Sequence, residues 1–272
     1  MGETGATEFL ANLSAGMVVT IAFVLTIARV ILVRPALSLA SADRNGAVEL
    51  SPFARGLAEL LESFIIAGVL VFLIIRPFFV QAFYIPSESM EPTLLGHNAG
   101  PSPSGEVHAE TVHDHIFVNK LIYRFREPQH GDIIVFRAPR NADMEAINRG
   151  REPQENVLIK RLIGLPGDTI EIKGGKVYRN GTALNEPVAD KDGNPPPGAR
   201  YAIKEPMRMQ EPESARFGVG EPLKLGPNEL YVMGDNRNDS NDSRYWGTLK
   251  RDRVIGKAMC IFLPLNRIRI LR

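Results

Sequence analysis

Two serines and a lysine are the residues of this 272-residue chain whose types and spacing could do chemistry. Ser87 and Ser89 sit in the run Pro86-Ser-Glu-Ser-Met-Glu-Pro-Thr93, and 71 positions after Ser89 a single lysine, Lys160, interrupts the apolar run Val157-Leu-Ile-Lys-Arg-Leu-Ile-Gly164. A serine hydroxyl is a poor nucleophile until a base takes its proton, and a neutral lysine amine is one such base. Taken singly, serines beside proline are turn and cap residues, and a strand lysine is usually a surface group. Together they describe a nucleophile and its base. The requirement on the lysine is severe. At its ordinary pKa of ~10.4 only about one amine in 2,500 is neutral at pH 7, so burial has to lower the pKa by about three pH units, roughly 4 kcal/mol. Alternation along a strand puts Leu158, Lys160 and Leu162 on one face and Ile159 and Arg161 on the other. The amine therefore has apolar neighbours, and the Arg161 charge points away from it.

Histidine is the usual alternative as base or metal ligand. All five histidines fall between His97 and His130, three of them at His108, His113 and His115. Their spacing matches no zinc signature, and their glycine- and serine-rich surroundings read as solvated loop. No metal is expected.

The serine run matches the motif Ser-x-Ser-Met-x-Pro-Thr-Leu through Ser87, Ser89, Met90, Pro92, Thr93 and Leu94. In this it resembles the bacterial type I signal peptidases. Two further blocks match that family in the same order: Lys160-Arg-Leu-Ile-Gly-Leu-Pro-Gly-Asp168 and Gly234-Asp-Asn-Arg-Asn-Asp-Ser-Asn-Asp-Ser-Arg-Tyr-Trp-Gly247. The resemblance runs from about Phe79 to the end of the chain. It implies that Ser89 is the nucleophile, Lys160 the general base, and Ser87 an oxyanion donor alongside the backbone N–H of Ser89. It implies that Ser240 orients the lysine and that Asp235, Asp242 and Arg244 brace the site. Phe83, Ile85, Met90, Leu94 and Ile159 match positions lining pockets for the small residues of an Ala-x-Ala-like cleavage site. None of the histidines lies in a matching block, no cofactor is implied, and Glu88 and Glu91 fill variable positions without a role. One departure is the order Asn238-Asp239, reversed from the family's common pair. The implied partners are signal peptides of secreted preproteins, the lipid bilayer and the secretion translocon.

The elements that must position these residues divide at about residue 80. Phe9 to Ala28 is a run without a charge, long enough at ~1.5 Å per residue to cross roughly 30 Å of hydrocarbon. A second apolar block covers about 63–80, broken only by Arg76 and Pro77. A cleaved signal is the rival reading of the first run, but the first eight residues hold Glu3 and Glu8 and no basic residue. The loop expected over 29–62 carries Arg29, Arg34, Arg44 and Arg55, which places it in the cytoplasm and residues 81–272 outside. The expected location is the bacterial cytoplasmic membrane, crossed twice. Beyond it, short β-rich runs from Ile116 to Ile255 predict a mainly β fold, an extracytoplasmic antiparallel domain of the signal-peptidase type after two transmembrane helices. Gly174-Gly175 and Asn180-Gly181 mark turns. An insertion is expected over 96–112 and a solvent-exposed loop or small lobe over 183–222. A formal charge of +1 gives no reason to expect nucleic acid, and the lone Cys260 cannot make an intramolecular disulfide.

Two other functions fit parts of this pattern. A self-cleaving regulator would use the same Ser-Lys pair but would not need membrane spans. A catalytically silent β scaffold would have no reason to keep Ser89 and Lys160.

Overall fold

The computed structural model describes residues 15–40, 52–71, 79–102, 105–142, 156–190, 193–208 and 215–271. The chain forms two compact units, Met1–Val80 and Gln81–Arg272.

In the first unit, helix α1 spans Ala15–Ala40 and helix α2 spans Pro52–Val69. They pack on each other, and Arg29 pairs with Glu62 at 2.5 Å. The loop expected over 29–62 is thus largely helical. Leucine, alanine and arginine favour helix, and proline suits a first helical position such as that of Pro52. Among the described residues no helix is long and apolar enough to cross a membrane. Residues 9–14 of the first expected span and 72–78 of the second lie outside the described residues.

The second unit is built on an eight-stranded sheet. Its main strands are β1 (Val80–Tyr84), β2 (His115–Asn119), β3 (Ile133–Arg137) and β4 (Val157–Gly164). After the hairpin strands β5 (Thr169–Lys173) and β6 (Lys176–Arg179) come β7 (Glu229–Met233) and β8 (Val254–Leu263). The order across the sheet is β1, β2, β8, β3, β4, β7, and then Leu249–Lys250; Arg269–Ile270 pairs with β8. The pairings of β2 with β8, β8 with β3, β3 with β4, and β4 with β7 are antiparallel. The expected antiparallel, mainly β architecture is what forms.

Strand β4 is buried on both faces, which is why its sequence reads as a nearly continuous apolar run. Leu158 and Leu162 pack with Ile134, Phe136 and Trp246 on one face. On the other, Ile159 packs with Ile85, Ile133 and Val135, and Ile163 with Ile170, Tyr231 and Met233. Lys160 pairs with Ile134 across the sheet, and Arg161 sits between Ile133 and Met233. The β5–β6 hairpin turns through Gly174 and Gly175 at φ 55° and 70°, positions that need glycine, and heads a separate four-stranded sheet.

The expected insertion takes the form of two short ribbons, Gly96–His97 against Val112–His113 and Gly100–Pro101 against Val107–His108. The segment 183–222, expected as an exposed loop or small lobe, is mostly exposed or half-buried among its described residues but is pinned to the rest of the unit at a few positions. Ala202, Ile203, Met207 and Ala215 are buried, and Lys204 N donates to Asp235 O at 3.0 Å. This segment packs through isolated contacts and bridges such as Val188 to Ile203. It therefore carries no strand or helix periodicity to read.

Candidate active site

Ser89 lies in a single 3₁₀ turn, Glu88–Met90, entered through Ser87 in an extended conformation. Met90 and Leu94, wholly buried, anchor the turn in the core. Two glycines hold it from either side. A Cβ at Gly234 would lie 2.2 Å from Ser89 O and 2.4 Å from Ser240 Oγ, and one at Gly96 would lie 2.5 Å from Ser87 O. Only a residue without a side chain permits such approach. Asn236 N adds a hydrogen bond to Ser89 O at 3.2 Å.

Lys160 comes to this turn from β4. Its Nζ is 2.7 Å from Ser89 Oγ and 3.1 Å from the carbonyl of Ile159. Only 4% of the residue is exposed. Burial lowers its pKa from 10.5 to about 8; Asp242 and Asp235 oppose that fall, and Arg244 assists it. Protonated, the amine donates to Ser89 Oγ; neutral, it can accept the hydroxyl proton. Ser87 Oγ lies 3.3 Å from Ser89 Oγ. Ser240 Oγ is buried and has no hydrogen-bond partner among the described residues, so neither bond of the Lys160 amine reaches it.

The expected bracing residues form two arginine–carboxylate pairs. Asp242 caps the short helix Ser243–Trp246 and accepts from Arg244 Nε at 2.9 Å and from Gly234 N at 3.1 Å. Burial alone would raise the Asp242 carboxyl; Arg244 and the backbone donors outweigh it and hold it below the usual carboxylate range. Asp235 accepts from Thr93 Oγ1 at 2.6 Å and, on both oxygens, from Arg161 at 2.7 and 2.5 Å. Arg161 was missed as a site residue. It points away from Lys160 as alternation requires, but into a buried pair, with its guanidinium 4.4 Å over the Tyr201 ring. Arg237 was also missed: it pairs with Glu186 at 2.5 and 2.6 Å and donates to Gly234 O at 2.9 Å. A sequence signal existed for Arg161, an arginine inside an apolar run, whereas Arg237 sits among the polar residues Asp235, Asn236, Asn238 and Asp239, which gave none.

Ser89 and Lys160 open onto a cleft of about 510 Å³ that Ser87, Glu88, His97, Leu158, Asp239 and Asn241 help to line. The five residues expected to line substrate pockets gather in one core cluster and none lines this cleft. Ile85, Met90 and Leu94 are at most 2% exposed, while Phe83 and Ile159 are partly buried. The histidines are not solvated loop residues. All five are half-buried: the ribbons fold His97 and His108 into a face-to-face stack 3.7 Å apart, His113 bonds to Ile85 O, His115 lies in β2, and His130 pairs with Asp168.

Residues 57–263 match the family described as "Signal peptidase, peptidase S26". The chain belongs to that family. Signal peptidase I of Leptolyngbya laminosa is 34% identical over 235 residues, covering 86% of this chain and 88% of that protein. Probable signal peptidase I-2 of a Synechocystis species is 34% identical over 206 residues, 76% of this chain and 73% of that one. A solved signal peptidase I from Enterococcus faecalis matches 48% of this chain and 97% of its own at 28% identity, with a TM-score of 0.29. Family membership makes this chain a serine endopeptidase of the type I signal peptidase class, an enzyme that removes signal peptides from preproteins.

Proposed function

We propose that this signal peptidase is membrane-anchored, cuts after an Ala-x-Ala-like site, and works by a Ser89–Lys160 dyad. The observation that carries the reading is the 2.7 Å approach of a buried lysine amine to a serine hydroxyl. Neutral Lys160 takes the Ser89 proton as Oγ bonds to the scissile carbonyl carbon. The oxyanion then accepts from the Ser87 hydroxyl and the Ser89 N–H, donors worth ~3–4 kcal/mol each when preorganised. Collapse breaks the C–N bond, and the Lys160 ammonium returns its proton to the departing amine. A water deprotonated by the same amine hydrolyses the ester and restores Ser89.

The substrate is an extended peptide that pairs with a strand edge; β1 lies at one end of the sheet order. Leu158 supplies an apolar wall of the cleft for the small residues, and Phe83, Ile85, Met90, Leu94 and Ile159 act from the core cluster that anchors the serine turn. Asp235, Asp242 and Arg244 hold the frame, and Ser240 takes a hydrogen bond from the lysine once Ser89 Oγ has turned to the substrate. The apolar runs before residue 80 and the arginines between them support a double crossing of the bacterial cytoplasmic membrane with the β unit outside. Ser89 is nine residues beyond Val80, so a substrate whose apolar segment stays in the bilayer presents its cleavage site within reach. The test is to incubate the full chain, purified in detergent, with a preprotein and to sequence the new N-terminus. A single cut after small-x-small is expected; a cut at unrelated positions overturns the specificity.

A further inference from the structure

Glu88 and Glu91 flank Ser89 and take no part in the chemistry above. They are 8% and 2% exposed, and buried carboxylates are costly unless cations match them. The groups facing them come from both ribbons and from the 183–222 segment. His97 Nδ1 is 2.5 Å from Glu91 Oε1. Lys204 Nζ bridges Glu91 Oε2 at 2.9 Å and Glu106 Oε2 at 2.5 Å. His108 Nε2 is 3.5 Å from Glu88 Oε1 and 3.8 Å from Glu106 Oε2. That nitrogen is fully buried and has no hydrogen-bond partner among the described residues. One donor atom each from Glu88, Glu91, Glu106 and His108 lies within 4.8 Å of all the others.

The 3.5 Å between His108 Nε2 and Glu88 Oε1 is long for a hydrogen bond but suits two donors that share a cation, and the wider separations close to that spacing by small side-chain rotations. Two ligands held at about 2.0–2.2 Å on a tetrahedral ion sit about 3.3–3.6 Å apart. We propose that Glu88, Glu91, Glu106 and His108 bind a divalent transition-metal cation, best Zn²⁺, that ties the Val107–His108 ribbon to the turn carrying Ser89. Imidazole together with carboxylates favours zinc over calcium, which takes six to eight oxygens. His97 serves the site indirectly: its hydrogen bond to Glu91 and its stack on His108 fix the orientation of two ligands. Lys204 is the resident competitor, because its ammonium uses two of the same carboxylates. Nothing in the site depends on Ser89 being the nucleophile, so its test stands apart from that of the dyad.

The test is calorimetric titration of Zn²⁺ into the full chain, purified in detergent and stripped with a chelator, at pH 7.5. One equivalent binds; His108→Ala and Glu106→Gln each weaken binding at least tenfold. Lys204→Met tightens it by removing the competing cation, and His130→Ala, at a histidine paired with Asp168, leaves it unchanged. Glu106 is half-exposed, so its variant reports even where His108→Ala does not fold. Absence of stoichiometric binding, equal binding by Glu106→Gln, loss of binding in His130→Ala, or no tightening by Lys204→Met overturns the site.

Discussion

Around Lys160 each buried aspartate has an arginine of its own: Asp235 with Arg161, Asp242 with Arg244. Around the serine turn three glutamates, Glu88, Glu91 and Glu106, share one lysine and two histidines. The first region is matched in that each aspartate has its own arginine, and the second shares a lysine and two histidines among several carboxylates. The matching matters for catalysis. Asp242 and Asp235 each favour the charged form of Lys160 and Arg244 opposes them, but desolvation is the largest influence, so the amine titrates at about 8. The shared carboxylates of the second region are the ones that the proposed metal would take as ligands. One region sets a proton affinity, and the other is free to bind.

The largest expected effect comes from removing what the matched region holds. Ser89→Ala and Lys160→Ala should each lower kcat/KM for a preprotein more than about 10³-fold, because nucleophile and base act as a unit. Lys160→Arg should fail equally, since a guanidinium does not deprotonate. Residual cleavage above a few per cent in either alanine variant would separate the matched region from the chemistry. Next is Gly234→Ala, which drives a methyl group into Ser89 O at the point where the matched region touches the serine turn. A displacement of 1 Å can cost about 10²-fold in rate; an enzyme within twofold of the parent would mean that the turn gives way freely.

The proton affinity itself is measurable. With an amine titrating at about 8, about one molecule in ten is competent at pH 7 and about one in a hundred at pH 6. A log plot of kcat/KM should climb with unit slope below pH 8 and level off above it. An optimum near pH 5 would rule out a neutral lysine. The same lowered pKa has a stability consequence with a definite sign: the unfolded amine binds its proton more tightly, so stability rises as pH climbs from about 8 toward 10.5. Asp242→Asn breaks the balance directly. It removes the strongest charge favouring the ammonium and leaves Arg244 unopposed, so the acid limb should move to lower pH by about one pH unit, roughly tenfold in competent enzyme at pH 6. An unmoved or raised midpoint would show that the pairing does not govern the lysine.

The two regions also differ in how far the sequence exposes them. Strand β4 was legible because its information is local: alternation puts Lys160 among Leu158 and Leu162, and those residues do pack with Ile134 and Phe136. The β-rich runs and the Gly174-Gly175 turn were legible for the same reason. Alternation also sent Arg161 to the opposite face, but it could not say that this face holds Asp235, 74 residues away. The His97–His108 stack depends on two ribbons whose strands are two residues long, too short to leave a period. The 183–222 segment is held by single contacts, such as Glu186 with Arg237 and Lys204 with Asp235, so its polar composition resembled solvent-exposed loop. Helix α1 runs on past Arg29 to Ala40 because a charge ends an apolar run without ending a helix.

Ser240 gives the smallest effect and the finest test of the matched region. Its hydroxyl is buried without a partner, while the Lys160 amine donates to Ser89 Oγ and to Ile159 O. In this resting arrangement Ser240 contributes nothing to holding the base. It becomes useful when Ser89 Oγ turns to bond with the substrate carbonyl, for then the newly protonated amine loses an acceptor and needs another. A hydrogen bond made only at that stage raises kcat without changing KM. At a net value of ~0.5–1.5 kcal/mol it corresponds to about 2–12-fold in rate. Ser240→Ala should therefore lower kcat several-fold, leave KM where it was, and leave the acid limb near pH 8, because no resting bond to the lysine has been removed. Ser240→Thr, which keeps the hydroxyl, should recover part of the loss. A Ser240→Ala enzyme indistinguishable from the parent would leave the lysine oriented by burial and its two present acceptors alone, and a shifted acid limb would mean that Ser240 already bonds the base before substrate arrives.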